Sequence, residues 1–141
     1  MAELTENRVK HLEMIQAVIS RMASESARMK QFGLAAVGIL ASTAEATDAP
    51  ALALVGALLA LIFWALDARY LQQERLFRGH YDEIRGEIGE TDFRMDPSDA
   101  IKAKHTAWGA FIGWSTSLIY GALLVVSLFL AFAVEPTVAG S

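Results

Sequence analysis

His80, Glu83 and Glu87 recur at spacings of three and four. On a helix they share a face and could offer one imidazole and two carboxylates to a transition metal. Gly79 beside them and the lack of a second cluster weigh against that chemistry. The same segment forms an ordinary solvated face with Glu74–Arg78 and Asp82–Arg85 pairs. His11 and Glu13 are two apart and diverge, as do Asp67 and Arg69. Asp67 is expected to pair with a basic residue of a neighbouring helix, or with none, and His105 to be interfacial. Gly109, Gly113, Ser117 and Gly121 stand four residues apart, and Ala53, Gly56, Ala57 and Ala60 form a weaker version. Small residues at that spacing let helix backbones approach closely in lipid, within one subunit or between subunits. Ser115, Thr116, Ser117 and Tyr120 supply hydroxyls that ordinarily bond their own helix, a polar pore lining being the alternative.

The chain contains no cysteine, so disulfides, thiolate catalysis and cysteine-ligated metals are excluded. It shows no nucleophile elbow, glycine-rich phosphate loop, zinc spacing or Ser/His/Asp arrangement. No enzymatic activity, cofactor or metal is expected. Nucleic-acid binding has no support, because acids and bases are balanced in the basic stretches and no uninterrupted basic stripe exists.

The elements that would position these residues are written in the charge pattern. All 12 Lys and Arg residues fall within 8–30 and 69–104. The intervening and following stretches are long apolar runs, a short acidic connection (Glu45 to Pro50) and a tail from Glu135. Cytoplasmic flanks of membrane spans retain Lys and Arg, whereas acids count little. With 54% hydrophobic residues gathered in blocks, the 141-residue chain reads as one all-α integral membrane domain. Three spans are expected, with the N-terminus inside and the C-terminus outside, and no cleavable signal peptide.

Residues 5–30 read as a cytoplasmic amphipathic helix with Thr5 as N-cap. Leu12, Ile15, Ile19 and Met22 form its seam. Residues 31–47 are the first span, although the strictly apolar part, Phe32 to Ala44, is short for a crossing. Pro50 suits the first turn of the second span, 50–66, which continues as a cytoplasmic helix over 67–90. Tyr70, Phe77 and Tyr81 fall on one face of that extension and are expected to meet the seam, making a cytoplasmic hairpin above the membrane one. A loop over 91–97 leads to a helix starting at 98–106, with Asp96 as N-cap and Pro97 in the first position. The third span is 107–134, and 135–141 is an external tail. Trp64, Trp108 and Trp114 are expected as interface anchors.

The segment from Trp64 to Arg85 carries Asp67, Tyr70, Glu74, Arg75, Phe77, Arg78, Tyr81 and Asp82. With His11-Leu-Glu-Met-Ile-Gln16 near the start, it resembles small uncharacterised bacterial membrane proteins that share an Asp-Ala-x-Tyr-Leu-x-x-Glu-Arg-x-Phe-Arg-x-x-Tyr-Asp segment after a span. The organisation is similar to the SLATT superfamily, a transmembrane hairpin continued by a cytoplasmic helix, over roughly residues 8–90. That resemblance implies a homo-oligomeric effector of the bacterial inner membrane, active in anti-phage defence by perforating or perturbing the bilayer. It implies that the eight residues are helix-packing and subunit contacts. The third span departs from the usual two-span plan. The alternative expectation is an accessory anchor or regulatory subunit for a soluble cytoplasmic partner.

Overall fold

The computed structural model describes residues 6–87 and 91–133. Thr5, Ile88 and the tail from Val134 lie outside that range. Among the described residues every element is helical: α1 (Glu6–Ala46), α2 (Pro50–Gly86), α3 (Asp99–Lys104), α4 (Ala107–Phe111) and α5 (Trp114–Ala133).

Helices α1 and α2 form one long antiparallel hairpin. The expected amphipathic helix and first span are a single helix of 41 residues, because nothing between Lys30 and Phe32 breaks the backbone ladder. The turn closes as a Schellman motif. The Ala49 amide donates to the Ala44 carbonyl at 3.0 Å, and the Asp48 amide to Glu45 at 3.5 Å. Asp48 takes the left-handed conformation (φ 49°) this motif requires, which an Asp side chain tolerates better than most. Pro50 then begins α2, where its missing N–H costs nothing.

Two helices, α2 and α5, are long and apolar enough to cross a membrane. α1 is not among them. Its apolar half carries Ser42 and Thr43, whose hydroxyls turn back onto the Gly38 and Ile39 carbonyls at 2.9 and 2.8 Å. That half still presents Phe32, Leu34 and Ile39 outward, and it lies level with the apolar halves of α2 and α5. The level is fixed by contact. A Cβ on Gly33 would come within 3.1 Å of Tyr120 and 3.2 Å of Phe63, and one on Gly56 within 3.4 Å of Ser127.

The stretch 98–133 departs from the expected continuous helix. α3 starts at Asp99 with Ser98 as cap, whereas Asp96 holds Lys102 at 3.0 Å. Helix then stops at Lys104, resumes for one turn as α4, and stops again at Ile112–Gly113 before α5. The reason is local. Thr106 accepts from the Gly109 amide at 3.2 Å and so caps α4. Beyond Phe111, Thr116 Oγ1 donates to the Gly113 carbonyl at 2.8 Å and lies 3.1 Å from that of Ala110, carbonyls that also take the Ser117 and Gly113 amides at 2.9 and 3.2 Å. With Gly at 113 and a hydroxyl satisfying the carbonyls, the break costs little. The long apolar helix therefore begins at Trp114 rather than Ala107.

Candidate functional site: a buried polar seam along the hairpin

Asp67 sits at the last apolar turn of α2 and is fully buried. Its neighbour across the hairpin is Lys30 of α1, with Nζ 2.8 Å from Oδ2 and 3.0 Å from Oδ1. Lys30 also donates to Ser26 Oγ at 2.8 Å, and the Ser26 hydroxyl donates to Asp67 Oδ1. A carboxylate taken out of water persists when its charge is matched, and Lys30 does that, with Ser26 and Lys30 both donating to Oδ1 while Oδ2 has the ion pair alone. Tyr120 of α5, also fully buried, lies on the same side of the bundle, and its hydroxyl has no partner among the described residues.

At the far end of the hairpin α1 and α2 enclose a second polar group. His11 and His80, both fully buried, lie with ring centroids 6.0 Å apart. Their Nε2 atoms converge on the Arg94 carbonyl at 2.8 and 2.7 Å, so both rings carry their proton on that nitrogen. His11 Nδ1 meets Thr91 Oγ1 at 2.5 Å, and His80 Nδ1 faces Glu83 Oε2 at 3.4 Å. The pair thereby latches segment 91–98 onto the hairpin tip. Arg8 completes the tip. Its guanidinium donates to the Ile84 carbonyl at 2.7 Å and to that of Glu87, closing the last turn of α2 with a cation where the helix dipole favours one. Nothing in the sequence signals this cluster, because its acceptors are backbone carbonyls far along the chain. The His80, Glu83 and Glu87 face does not assemble as a metal site. His80 is turned towards Arg94, and among the described residues no three His, Asp or Glu side chains are placed to hold an ion.

Between these two groups runs the aliphatic seam. Leu12, Ile15 and Ile19 of α1 pack with Ile84 of α2 in one buried cluster, and Phe77, Tyr81 and Met95 lean against it. Met22 and Tyr70 are half-buried. Glu74 is buried and holds Arg78 at 2.6 Å, while Arg78 and Asp82 themselves are exposed. They line a groove beside Gln16 and Ile19 rather than the seam. The Asp82–Arg85 pair is loose, at 4.0 Å.

One face of α2 also stitches down the broken stretch that follows. Trp64 Nε1 donates to the Phe111 carbonyl at 2.8 Å, Gln72 to His105 at 3.2 Å and Arg75 to Gly109 at 3.2 Å. Trp64 further stacks on Phe111, centroids 4.4 Å apart and planes within 7°. It therefore acts as an internal clamp between α2 and α4. Trp108 and Trp114 are 69% and 81% exposed, as an anchor requires. Lys102, held by Asp96 and with Asp99 close by, has its pKa raised above the ordinary 10.5, chiefly by the Asp96 hydrogen bond.

The small-residue stripes have divided fates. Ala53, Gly56, Ala57 and Ala60 are buried between α1, α2 and α5, so they serve packing within one subunit. Gly109 lies in α4 and Gly113 in the helix break, out of line with Ser117 and Gly121. A Cβ at Gly113 would crowd the Ala110 carbonyl (3.1 Å) and Arg75 (3.3 Å), whereas one at Gly121 would meet nothing.

No known family model, curated protein or solved structure matches this chain.

Proposed function

We propose that the chain is a homo-oligomeric effector of the bacterial inner membrane that compromises the bilayer when its cytoplasmic hairpin is engaged, as the SLATT resemblance implies. In this reading the apolar halves of α1, α2 and α5 cross the membrane together, N-terminus inside. Arg8, the histidine pair and segment 91–98 then lie in the cytoplasm. The observation that carries the proposal is the outer face of α5. Trp114, Leu118, Val125, Phe129 and Phe132 form one exposed stripe with Gly121 open beside it. Three helices enclose no channel of their own, and an uncovered apolar face with a close-approach position suits a neighbouring copy. Counting subunits in nanodiscs tests this. A closed ring of several copies is expected, together with loss of membrane potential when the chain is triggered in cells. A monomer or dimer overturns it.

A second reading has its own support. The cytoplasmic half of α1 presents Val9 and Met14 outward, above a groove lined by Leu12, Gln16, Ala17 and Tyr81. A soluble partner laid in that groove would make the chain its membrane anchor, and a stable one-to-one complex without self-assembly is the outcome that would replace the first reading.

A further inference from the structure

We propose that the groove between α2 and α4 holds one anionic glycerophospholipid, an acyl chain lying along Ala65 and Ala68 and the phosphate on Arg69; this rests on the membrane reading above. The groove is lined by Ala65, Ala68, Arg69, Ala107, Trp108 and Phe111, with a cavity volume of about 230 Å³. Its floor is three alanines and its walls two aromatic rings, so it presents hydrocarbon almost throughout, with Arg69 as the one charged residue on its lining. The floor continues the exposed outer face of α2, Ile62 and Leu66, which the bilayer would cover. Ala65 lies one helical turn, about 6 Å, deeper along α2 than Arg69. A lipid of the cytoplasmic leaflet presents its chain and its phosphate in that same order.

Charge selects the headgroup. Arg69 is exposed and joins no ion pair among the described residues. The carboxylates nearest it on α2 are already committed, Asp67 to Lys30 and Glu74 to Arg78. Arg75, the next cation along α2, is turned onto the Gly109 carbonyl and holds α4 in place as the second wall. The site thus offers a preformed slot and an uncompensated cation at its shallow end. A zwitterionic headgroup would bring its own cation to the same corner, whereas a phosphate without one would not. Arginine suits a phosphate because its donors form a planar fork.

The test uses the intact chain in nanodiscs of equal phosphatidylglycerol and phosphatidylcholine, ejected into a native mass spectrometer. One phosphatidylglycerol is expected to remain on each chain in preference to phosphatidylcholine. Arg69→Gln should reduce that preference about fivefold, the worth of one cation near a lipid surface, and Arg69→Lys should keep most of it. Ala65→Phe, which fills the slot and leaves the cation, should lower retention of both lipids. Equal retention of the two lipids by the native chain, or an undiminished preference in Arg69→Gln, overturns the inference. Carbonate washing separates the two failures. A chain stripped from membranes refutes the membrane reading and this one with it, whereas a firmly inserted chain without preference refutes this one alone.

Discussion

The two halves of the α1–α2 hairpin are held together by opposite means. Beyond Lys30 and Asp67, the half that carries the charges buries large aliphatics, Leu12, Ile15, Ile19 and Ile84, together with a few partnered polar groups, Arg8, His11, Glu74 and His80. On the other side of that pair the contact residues are Gly33, Val37, Ala44, Ala53, Gly56, Ala57 and Ala60, while Leu, Ile and Phe point outward. Where water surrounds a helix, hiding large apolar side chains drives association. Where the surroundings are as apolar as leucine, only close backbone approach gains anything, and small residues permit it. The inversion of inside and outside at one pair of residues marks where the chain's two solvents would meet.

The sharpest way to break that comparison is at the boundary. Lys30→Met strands the Asp67 carboxylate and should lower stability by about 3–5 kcal/mol, read from thermal unfolding in detergent. Adding Asp67→Leu should restore most of the loss. A change within about 0.5 kcal/mol for Lys30→Met would mean that Asp67 is hydrated, and the boundary would have to move. Next come the two kinds of core. Ile15→Ala opens a cavity in the polar half and should cost about 2–5 kcal/mol. Gly56→Leu overfills the apolar half against Val37, Leu40 and Ser127 and should cost about 1–3 kcal/mol. A loss below about 0.5 kcal/mol for either variant would erase the distinction. The smallest effect on the subunit is at Gly121, where a new side chain enters open space. Gly121→Ile should leave unfolding within about 0.5 kcal/mol of the native chain and yet reduce the subunit count in nanodiscs. An unchanged count would remove this face from the assembly. Gly113 is a poor place for the same experiment, because Arg75 and the Ala110 carbonyl crowd it within the chain.

The all-α class and the periodic seam at Leu12, Ile15 and Ile19 are legible in the sequence, since they follow from 3.6-residue spacing and blocks of apolar residues. Pro50 as a first-turn residue and the Glu74–Arg78 pair are legible for the same local reason. The break at Ile112–Gly113 is not. The residues that permit it, Thr116 and Ser117, look like ordinary helix hydroxyls until the carbonyls they serve are seen. Trp64 and the histidine pair are hidden for a different reason. Their partners are the carbonyls of Phe111 and Arg94, and a carbonyl has no residue type to recognise. Arg78 and Asp82 show the converse. They match a shared motif, yet the packing leaves both at the surface.

The uninterrupted course of α1 has a mechanical consequence. A rod pivots where it is held, and the triad at Lys30 is a polar fixing point part-way along it. From Glu6 to Lys30 the arm is roughly 36 Å, and from Lys30 to Ala46 roughly 24 Å. A tilt about that fulcrum would swing the hairpin tip, with its Arg8 and His11, half as far again as the turn at Asp48. A modest push on segment 91–98 would reach the turn at Asp48 without any residue in α1 changing its backbone angles.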